Sequence, residues 1–348
     1  MSRDFYLDLA AQGHRVPLGL DLILRQYLDF DAILQDGERL GAVIVEAARH
    51  YRTPIALPLL DLTVEREEFL TGLGAPADER VAFRLRAPLT ADDQAGIEAT
   101  MLSGINPRTR ANLRALRVVA SADGLLPCAV ITGPFTLMTR LIADPVTAIY
   151  SMAAGAAAED DPEVHTMLTA LEAAVRMACI AADRQIEAGA RLCIIAEPSF
   201  STVYFSPRQL RRGSDILDRL VVGSLKPVSD IIEARGADIM LHCCGALTPP
   251  MVSALGRLHP AILSLGSSQV LWDDALLLPS DIVLYGNLPS DAFHTDDLTI
   301  DGVLFAAREI ETRMRDIGRP VIVGTECDVL RAPGYEEVVT SKVHAFLE

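Results

Sequence analysis

The sequence predicts an α/β protein built as a TIM-type (β/α)8 barrel with an N-terminal helical layer. Its 348 residues are enough for one barrel of this kind. From about Pro127 onward, short runs rich in Val, Ile and Leu alternate with longer segments of helical period, as in repeated βα units. Each predicted strand also ends in polar residues, as expected where barrel strands open onto an active-site face.

The first part of the chain is less regular than the rest. Residues 29–54 predict a helix-rich layer, and the run Pro54–Asp61 is a weaker strand candidate because Pro58 removes a ladder donor. Residues 71–106 carry several turn formers and predict an excursion that links this layer to the barrel. We expect residues 1–348 to form a single domain, with the helical layer, first strand and excursion in 1–125 and regular βα units in 126–348.

Six more strands and six helical segments follow in alternation. The predicted strands are Cys128–Thr132, Arg191–Glu197, Ala237–Cys243, Ala261–Gly266, Asp281–Gly286 and Pro320–Glu326. The predicted helical segments are Phe135–Glu159, Pro162–Ala188, Pro207–Arg235, Thr248–Leu258, Asp301–Ile317 and Tyr335–Phe346. Because the carboxyl ends of barrel strands meet at one mouth, the polar groups after these strands are expected to converge. They include Asp61, Glu197, His242 to Gly245, Asn287 and Cys327.

Composition excludes several classes of function. A net charge of -16 argues against a nucleic-acid partner, because phosphate contacts need clustered Lys and Arg. No uninterrupted apolar stretch reaches the roughly 18 residues that a membrane span needs, so no membrane partner is expected. The first residues lack the apolar core of a secretory signal, which predicts a cytoplasmic location. In that reducing compartment the six cysteines are expected to be thiols or metal ligands.

The segment ADIMLHCCG, which ends at Gly245, predicts a metal site. On an extended strand His242 and Cys244 point to the same side while Cys243 points away. Cys327, in the distant segment VGTEC, supplies a third ligand, and two thiolates with an imidazole suit zinc. Three protein ligands leave one position open for a substrate, which indicates catalysis. Free cysteines are more often small buried hydrophobes, and the remaining ones fit that role among apolar neighbours: Cys128, Cys179 and Cys193.

Together with this motif, several segments resemble the uroporphyrinogen decarboxylase superfamily over most of the chain. Within it the chain is similar to the cobamide-dependent zinc methyltransferase branch, of the methylcobalamin:coenzyme M type. LHCCG matches the H-x-C-G pattern of that branch, and Cys327 matches its third zinc-ligand position. Further matches follow in order: LLDLTVEREEF (Leu59–Phe69), ITGPFT (Ile131–Thr136), EAGARLCIIAEPSFS (Glu187–Ser201), FSP (Phe205–Pro207) and YGNLP (Tyr285–Pro289).

The resemblance implies a zinc-dependent methyltransferase in a TIM-type barrel. Zinc held by His242, Cys244 and Cys327 would activate a thiolate, and the methyl group would move between a corrinoid and a thiol or small methylated substrate. The corrinoid, a methylcobamide, would be a co-substrate carried by a partner protein, because no cobalamin-binding histidine motif is visible. Donor, acceptor, direction of transfer and oligomeric state do not follow from the sequence.

Three further residues are candidate catalytic groups. Glu197 is interpreted either as a fourth zinc ligand or acid/base partner, or as a carboxylate bonded to nearby backbone, and the family more often has Asp there. Asn287 either binds substrate or caps the next segment, with the functional role favoured by the family's GN pair. Asp61, with Glu65 and Glu67, either lines the mouth or stabilises a helix N-terminus.

Competing functions remain open at this point. A uroporphyrinogen-type decarboxylase needs no metal and depends on an N-terminal arginine-rich motif, of which Arg25-Gln26-Tyr27 is only a fragment. A metal-free methylcorrinoid:tetrahydrofolate methyltransferase would not need the complete ligand set. A third alternative is a non-catalytic module that binds a corrinoid protein or a metal, on a barrel that has lost its catalytic function. Such a module would not need polar residues at seven strand ends.

Overall fold

A computed structural model describes residues 3–348 as one curled parallel sheet surrounded by helices. The strands are Arg15–Val16 (β1), Ile55–Ala56 (β2), Leu126–Thr132 (β3), Leu192–Ala196 (β4), Asp238–Cys243 (β5), Ile262–Leu265 (β6), Val283–Leu288 (β7) and Val321–Thr325 (β8). They lie in the order β1-β8-β7-β6-β5-β4-β3-β2, and every pairing is parallel. The predicted α/β fold, consistent with a TIM-type barrel, is confirmed.

The helices cover the outside of this sheet. They are Arg3–Ala11 (α1), Leu20–Leu24 (α2), Phe30–Ile33 (α3), Gly37–His50 (α4), Val64–Gly72 (α5), Ala91–Ser103 (α6), Pro107–Ala120 (α7), Pro134–Leu141 (α8), Pro145–Ala153 (α9), Pro162–Glu187 (α10), Pro207–Arg211 (α11), Gly223–Ala234 (α12), Pro249–Gly256 (α13), Leu271–Asp274 (α14), Ile300–Asp316 (α15) and Glu336–Phe346 (α16). A π-helical turn, Asp218–Val222, precedes α12, and short 3-10 turns lie at Ala275–Leu277 and Asp291–His294.

Several predicted bounds are wrong. The strand predicted over Pro54–Asp61 is only the two-residue β2, in keeping with the missing donor of Pro58. β1 was not predicted, because two residues carry no alternation pattern. The helical segment Phe135–Glu159 is divided into α8 and α9, where the Asp144 side chain caps the new helix by accepting from the Thr147 N–H.

Two other segments also differ from prediction. The excursion over residues 71–106 contains α6, which begins with a capping box between Thr90 and Asp93. The segment Pro207–Arg235 is α11, the π-helical turn and α12 in succession. Both were hard to predict because their apolar periodicity is interrupted by turns.

The core has two layers separated by the sheet. Along β4, Leu192 and Ile194 pack inside the barrel, whereas Cys193 and Ile195 pack outward against helices. This alternation follows from the period of two along a strand. It also determines which side chains at the strand ends face the barrel mouth.

One helix, α10, is long and apolar enough to span a membrane by length and composition alone. In this fold its apolar residues pack against the barrel and neighbouring helices: Met167, Leu171, Ala174, Met177 and Ala178. The core helix of a globular barrel meets the same criterion, so α10 is accounted for by the fold.

Candidate metal centre

His242, Cys244 and Cys327 converge at the carboxyl end of the sheet. One ligand atom from each lies within 4.8 Å of the other two, and His242 is 2 % exposed. His242 is the last but one residue of β5, Cys244 follows that strand, and Cys327 lies just after β8. Cys243 faces the other way, as the alternation predicts, and its Sγ donates to the Phe200 carbonyl at 3.1 Å. The topology thus brings Cys327 to two residues that lie more than eighty positions earlier in the sequence.

The two sulfurs of this cluster share a hydrogen bond. The Cys327 thiol donates to Cys244 Sγ, which lowers the pKa of Cys244 and raises the pKa of Cys327 to about 12. Burial opposes the lowering of the Cys244 pKa and adds to the raising of the Cys327 pKa, which a hydrogen bond with His242 opposes. A divalent cation at this position would replace the shared proton and stabilise both thiolates.

The donor set fits zinc. In a tetrahedral zinc site with Zn–S bonds of about 2.3 Å, neighbouring ligand atoms lie roughly 3.8 Å apart. The three atoms all lie within 4.8 Å of one another, so their separations exceed the tetrahedral spacing by no more than about an ångström. The set also leaves a fourth tetrahedral position for a substrate or a water molecule.

Neighbouring side chains hold these groups in place. His242 Nδ1 lies 2.9 Å from Ser264 Oγ on β6, and Thr325 Oγ1 donates to the Cys327 carbonyl at 2.9 Å. The Leu18 N–H donates to Thr325 Oγ1, which ties the Cys327 segment to the chain after β1. Sequence reasoning missed Ser264. The available signal was a serine inside the apolar run AILSLG.

Gly266 is required by close packing at the cluster. A Cβ at this position would overlap the backbone of Cys244, the second cysteine ligand of the candidate site. A residue without a side chain lets the loop after β6 pass directly over that ligand.

Glu197 is buried at the end of β4 and accepts two backbone hydrogen bonds. The N–H groups of Phe135 and Thr136, in the first turn of α8, donate to its two carboxylate oxygens at 3.0 and 2.7 Å. Burial raises the pKa of Glu197 to about 7 despite these bonds. The carboxylate is outside the three-residue ligand cluster. This geometry corresponds to the backbone-bonded interpretation, while the Glu197 N–H donates to the His242 carbonyl at 2.8 Å.

Asn287 lies at the carboxyl end of β7 and is 9 % exposed. Its Nδ2 donates to the carbonyls of Gly266 and Gln269, both at 2.8 Å. The side chain therefore fastens the loop after β6, which passes over Cys244. Glu326 contacts the same region by accepting from the N–H groups of Ser267 and Ser290.

Asp61 lies in an ion pair with Arg108, whose Nη2 is 2.8 Å from the carboxylate. Burial opposes ionisation of Asp61, but hydrogen bonds from Thr63 and Arg108 outweigh it and hold the pKa below its ordinary value. Glu65, in α5, accepts from the Thr132 hydroxyl at 2.7 Å, and burial raises its pKa. Asp61, Glu65 and Arg108 line a cavity of about 60 Å³ whose lining does not include the three metal ligands.

Asp328, next to Cys327, was also missed. Its Oδ2 accepts from the Leu60 N–H at 3.0 Å, and its buried Oδ1 has no hydrogen-bond partner among residues 3–348. Burial raises the pKa of Asp328 to about 7. The sequence signal was its position directly after a predicted ligand.

Comparison with solved structures finds a protein of similar fold. A methyltransferase from Methanosarcina mazei superposes with a TM-score of 0.64 at 16 % identity, over 96 % of this chain and 91 % of that one. A B12-independent methionine synthase from Shewanella sp. W3-18-1, in complex with selenomethionine, gives a TM-score of 0.45 at 14 % identity, over 68 % and 65 % of the two chains. The match to the Methanosarcina mazei methyltransferase, at 16 % identity, shows likeness of fold alone.

A comparison with curated protein sequences finds no match. The model of the family described as uroporphyrinogen decarboxylase (URO-D) matches residues 18–336, a range that includes His242, Cys244 and Cys327. Because this match spans most of the sequence, the chain belongs to the uroporphyrinogen decarboxylase (URO-D) family.

Proposed function

We propose that the chain is a zinc-dependent methyltransferase. It would move a methyl group between a corrinoid, as protein-bound methylcobamide, and a thiol or small methylated substrate. The observation that carries this proposal is the convergence of His242, Cys244 and Cys327 at the carboxyl end of the sheet. Membership of the URO-D family and the likeness of fold to a Methanosarcina methyltransferase support it.

The proposed division of labour assigns the metal to the three converging residues. His242, Cys244 and Cys327 would hold the metal, which when bound stabilises the thiolate form of an acceptor thiol in the open position. In the direction from corrinoid to thiol, the acceptor sulfur would form a bond to the methyl carbon as the cobalt–carbon bond breaks, with the bonding pair left on the cobalt and the thiol proton passing to solvent.

The remaining candidate residues would shape the mouth around this centre. We propose that Glu197 acts from the end of β4, beside the His242 backbone, as an acid/base group or as a support of the β3–α8 turn. Asn287 would hold the loop over Cys244, and Asp61 would order the segment after β2 through Arg108. The corrinoid would be delivered to the same face by a partner protein.

The decarboxylase alternative has less support from the N-terminal region. Arg25, the arginine of the short Arg25-Gln26-Tyr27 fragment, pairs with Asp21 at 2.8 Å and stacks on Phe30 with its guanidinium 4.6 Å from the ring centre. These contacts engage its Nε and one face of its guanidinium group, which favours a structural role for Arg25 in the N-terminal layer.

The test is an activity assay with free methylcobalamin. Purified protein is mixed with methylcobalamin and either 2-mercaptoethanesulfonate, homocysteine or tetrahydrofolate, and loss of methylcobalamin absorbance is followed with mass spectrometry of the products. We expect a methylated thiol, and a loss of at least 100-fold in rate for His242→Ala and Cys327→Ala. Cys179→Ala, a half-buried cysteine outside the cluster, is the matched control and should retain activity. Methylation of tetrahydrofolate alone, unaffected by His242→Ala, would instead support the metal-free methyltransferase.

A further inference from the structure

We propose that Ser264 is a positioning residue for the metal centre: its hydroxyl accepts the Nδ1–H of His242 and so presents Nε2 to the metal. This inference rests on the zinc binding proposed above and adds a residue to it. Ser264 Oγ lies 2.9 Å from His242 Nδ1, within the ordinary range for a hydrogen bond.

The contact is built into the sheet. His242 on β5 and Ser264 on β6 are register partners in parallel strands, so their side chains point to the same face. They are 2 % and 0 % exposed, so bulk water does not compete for the bond. The next register partner, Tyr285, donates its own hydroxyl to the Val16 carbonyl at 2.6 Å and leaves Ser264 to His242.

A count of donors and acceptors gives the direction of the bond. A neutral imidazole carries one proton, and the nitrogen that binds a metal must carry none. Within residues 3–348, Ser264 Oγ is the hydrogen-bond partner of Nδ1, so Nε2 is the nitrogen left to face Cys244 and Cys327. Metal binding through Nε2 therefore requires the proton on Nδ1, with the serine oxygen as acceptor. Such outer partners of metal-bound histidines fix ring orientation and tautomer.

The experiment measures the zinc dissociation constant by competition with a chromophoric chelator. Ser264→Ala removes the acceptor and should weaken zinc binding about 10- to 100-fold. Ser264→Thr keeps the hydroxyl and should bind zinc within about threefold of wild type. Ser229→Ala is the matched control, because Ser229 is a buried serine whose hydroxyl has no hydrogen-bond partner among the described residues. It should leave the zinc dissociation constant unchanged.

A second measurement reports the tautomer and does not depend on how well any variant folds. Nitrogen-15 NMR of histidine-labelled, zinc-loaded wild-type protein should show His242 protonated at Nδ1 and metal-bound at Nε2. Metal bound at Nδ1, or Ser264→Ala with the same zinc affinity as wild type, would overturn the inference. Wild-type protein that binds no zinc would instead overturn the proposed function, so the two failures are distinguishable.

Discussion

Cys243 and Cys244 are neighbours in the sequence but have different environments in the structure. Cys243 packs in the outer core and donates to the Phe200 carbonyl, and burial raises its pKa to about 12. Cys244 faces the mouth, where the hydrogen bond from Cys327 lowers its pKa. Alternation along β5 predicted this difference from sequence alone, because adjacent residues of a strand point to opposite faces.

Glu68 supplies a prediction about pH dependence. Burial raises its pKa from 4.5 to about 7; the charge of Glu65 adds to this, and the Thr109 hydroxyl and Arg184 oppose it. The folded state holds the proton of Glu68 more tightly than the unfolded state does. The contribution of this proton to stability is therefore fully present below pH 4.5 and falls as pH rises through about 7.

Glu68→Gln should remove that fall. At pH 8 the variant should have a free energy of unfolding higher than wild type, by an amount of order 3 kcal/mol at most, and near pH 4.5 the difference should vanish. Urea unfolding at several pH values measures both. Glu98→Gln, on the exposed face of α6, is the control and should change stability by less than about 0.5 kcal/mol at any pH. Equal stability of Glu68→Gln and wild type at pH 8 would contradict the account.

At the scale of elements, the turn between β3 and α8 depends on a glycine. A Cβ on Gly133 would overlap the carboxyl group of Glu197, which is fixed by the N–H groups of α8. Gly133→Ala should therefore destabilise the fold by roughly 2 kcal/mol or more, because neither group can move without breaking buried hydrogen bonds.

Thermal or urea unfolding tests this change. Gly302→Ala in α15 is the control: a Cβ there meets Thr299 at 3.3 Å, and alanine favours the helix by up to about 1 kcal/mol. The account of the β3–α8 turn fails if Gly133→Ala is as stable as Gly302→Ala.

Asn287 links two elements of the mouth, and its variants separate a structural role from a catalytic one. Asn287→Ala loses two buried hydrogen bonds to the loop after β6 and should lower the free energy of unfolding by about 1–3 kcal/mol. Asn287→Asp should lower the free energy of unfolding further, because a carboxylate would face two carbonyl oxygens. Activity of Asn287→Ala is measured per folded molecule. If it equals that of wild type, the side chain acts only by holding the loop.

The elements that the sequence predicted well are the long, periodic ones. The six strands after residue 126 and the helix over Pro162–Glu187 produce strong local patterns, and the structure contains each of them. β1 and β2 are two residues each and are specified by pairing with β8 and β3, which no local pattern encodes. The same reason explains the site: ligand residue types were visible in sequence, whereas the bond between Ser264 and His242 depends on strand register.

At the scale of the whole molecule, the N-terminal residues 3–125 are joined to the barrel at many points. β1 pairs with β8, the Tyr6 hydroxyl donates to Asp238 at 2.9 Å, and the Arg331 N–H donates to Asp21 at 2.7 Å. One outer core also includes residues from both parts of the chain. We therefore expect residues 1–348 to unfold as one cooperative domain.

Urea unfolding followed by two probes tests this expectation. Trp272, the single tryptophan, reports on the C-terminal part through its fluorescence, and far-UV circular dichroism reports on all helices. The two transitions should coincide. An earlier transition seen only by circular dichroism would mean that the N-terminal helical layer unfolds on its own.

The central claim is that His242, Cys244 and Cys327 form a zinc site, and metal content tests it most directly. Wild-type protein, His242→Ala and Cys327→Ala are purified under identical reducing conditions, with Cys243→Ala as the control, since that neighbouring thiol faces away from the site. The account predicts about one zinc per chain in wild type and Cys243→Ala, and a loss of zinc in the other two variants with the fold retained. Wild-type protein without zinc after reconstitution, or zinc retained in both ligand variants, would contradict it.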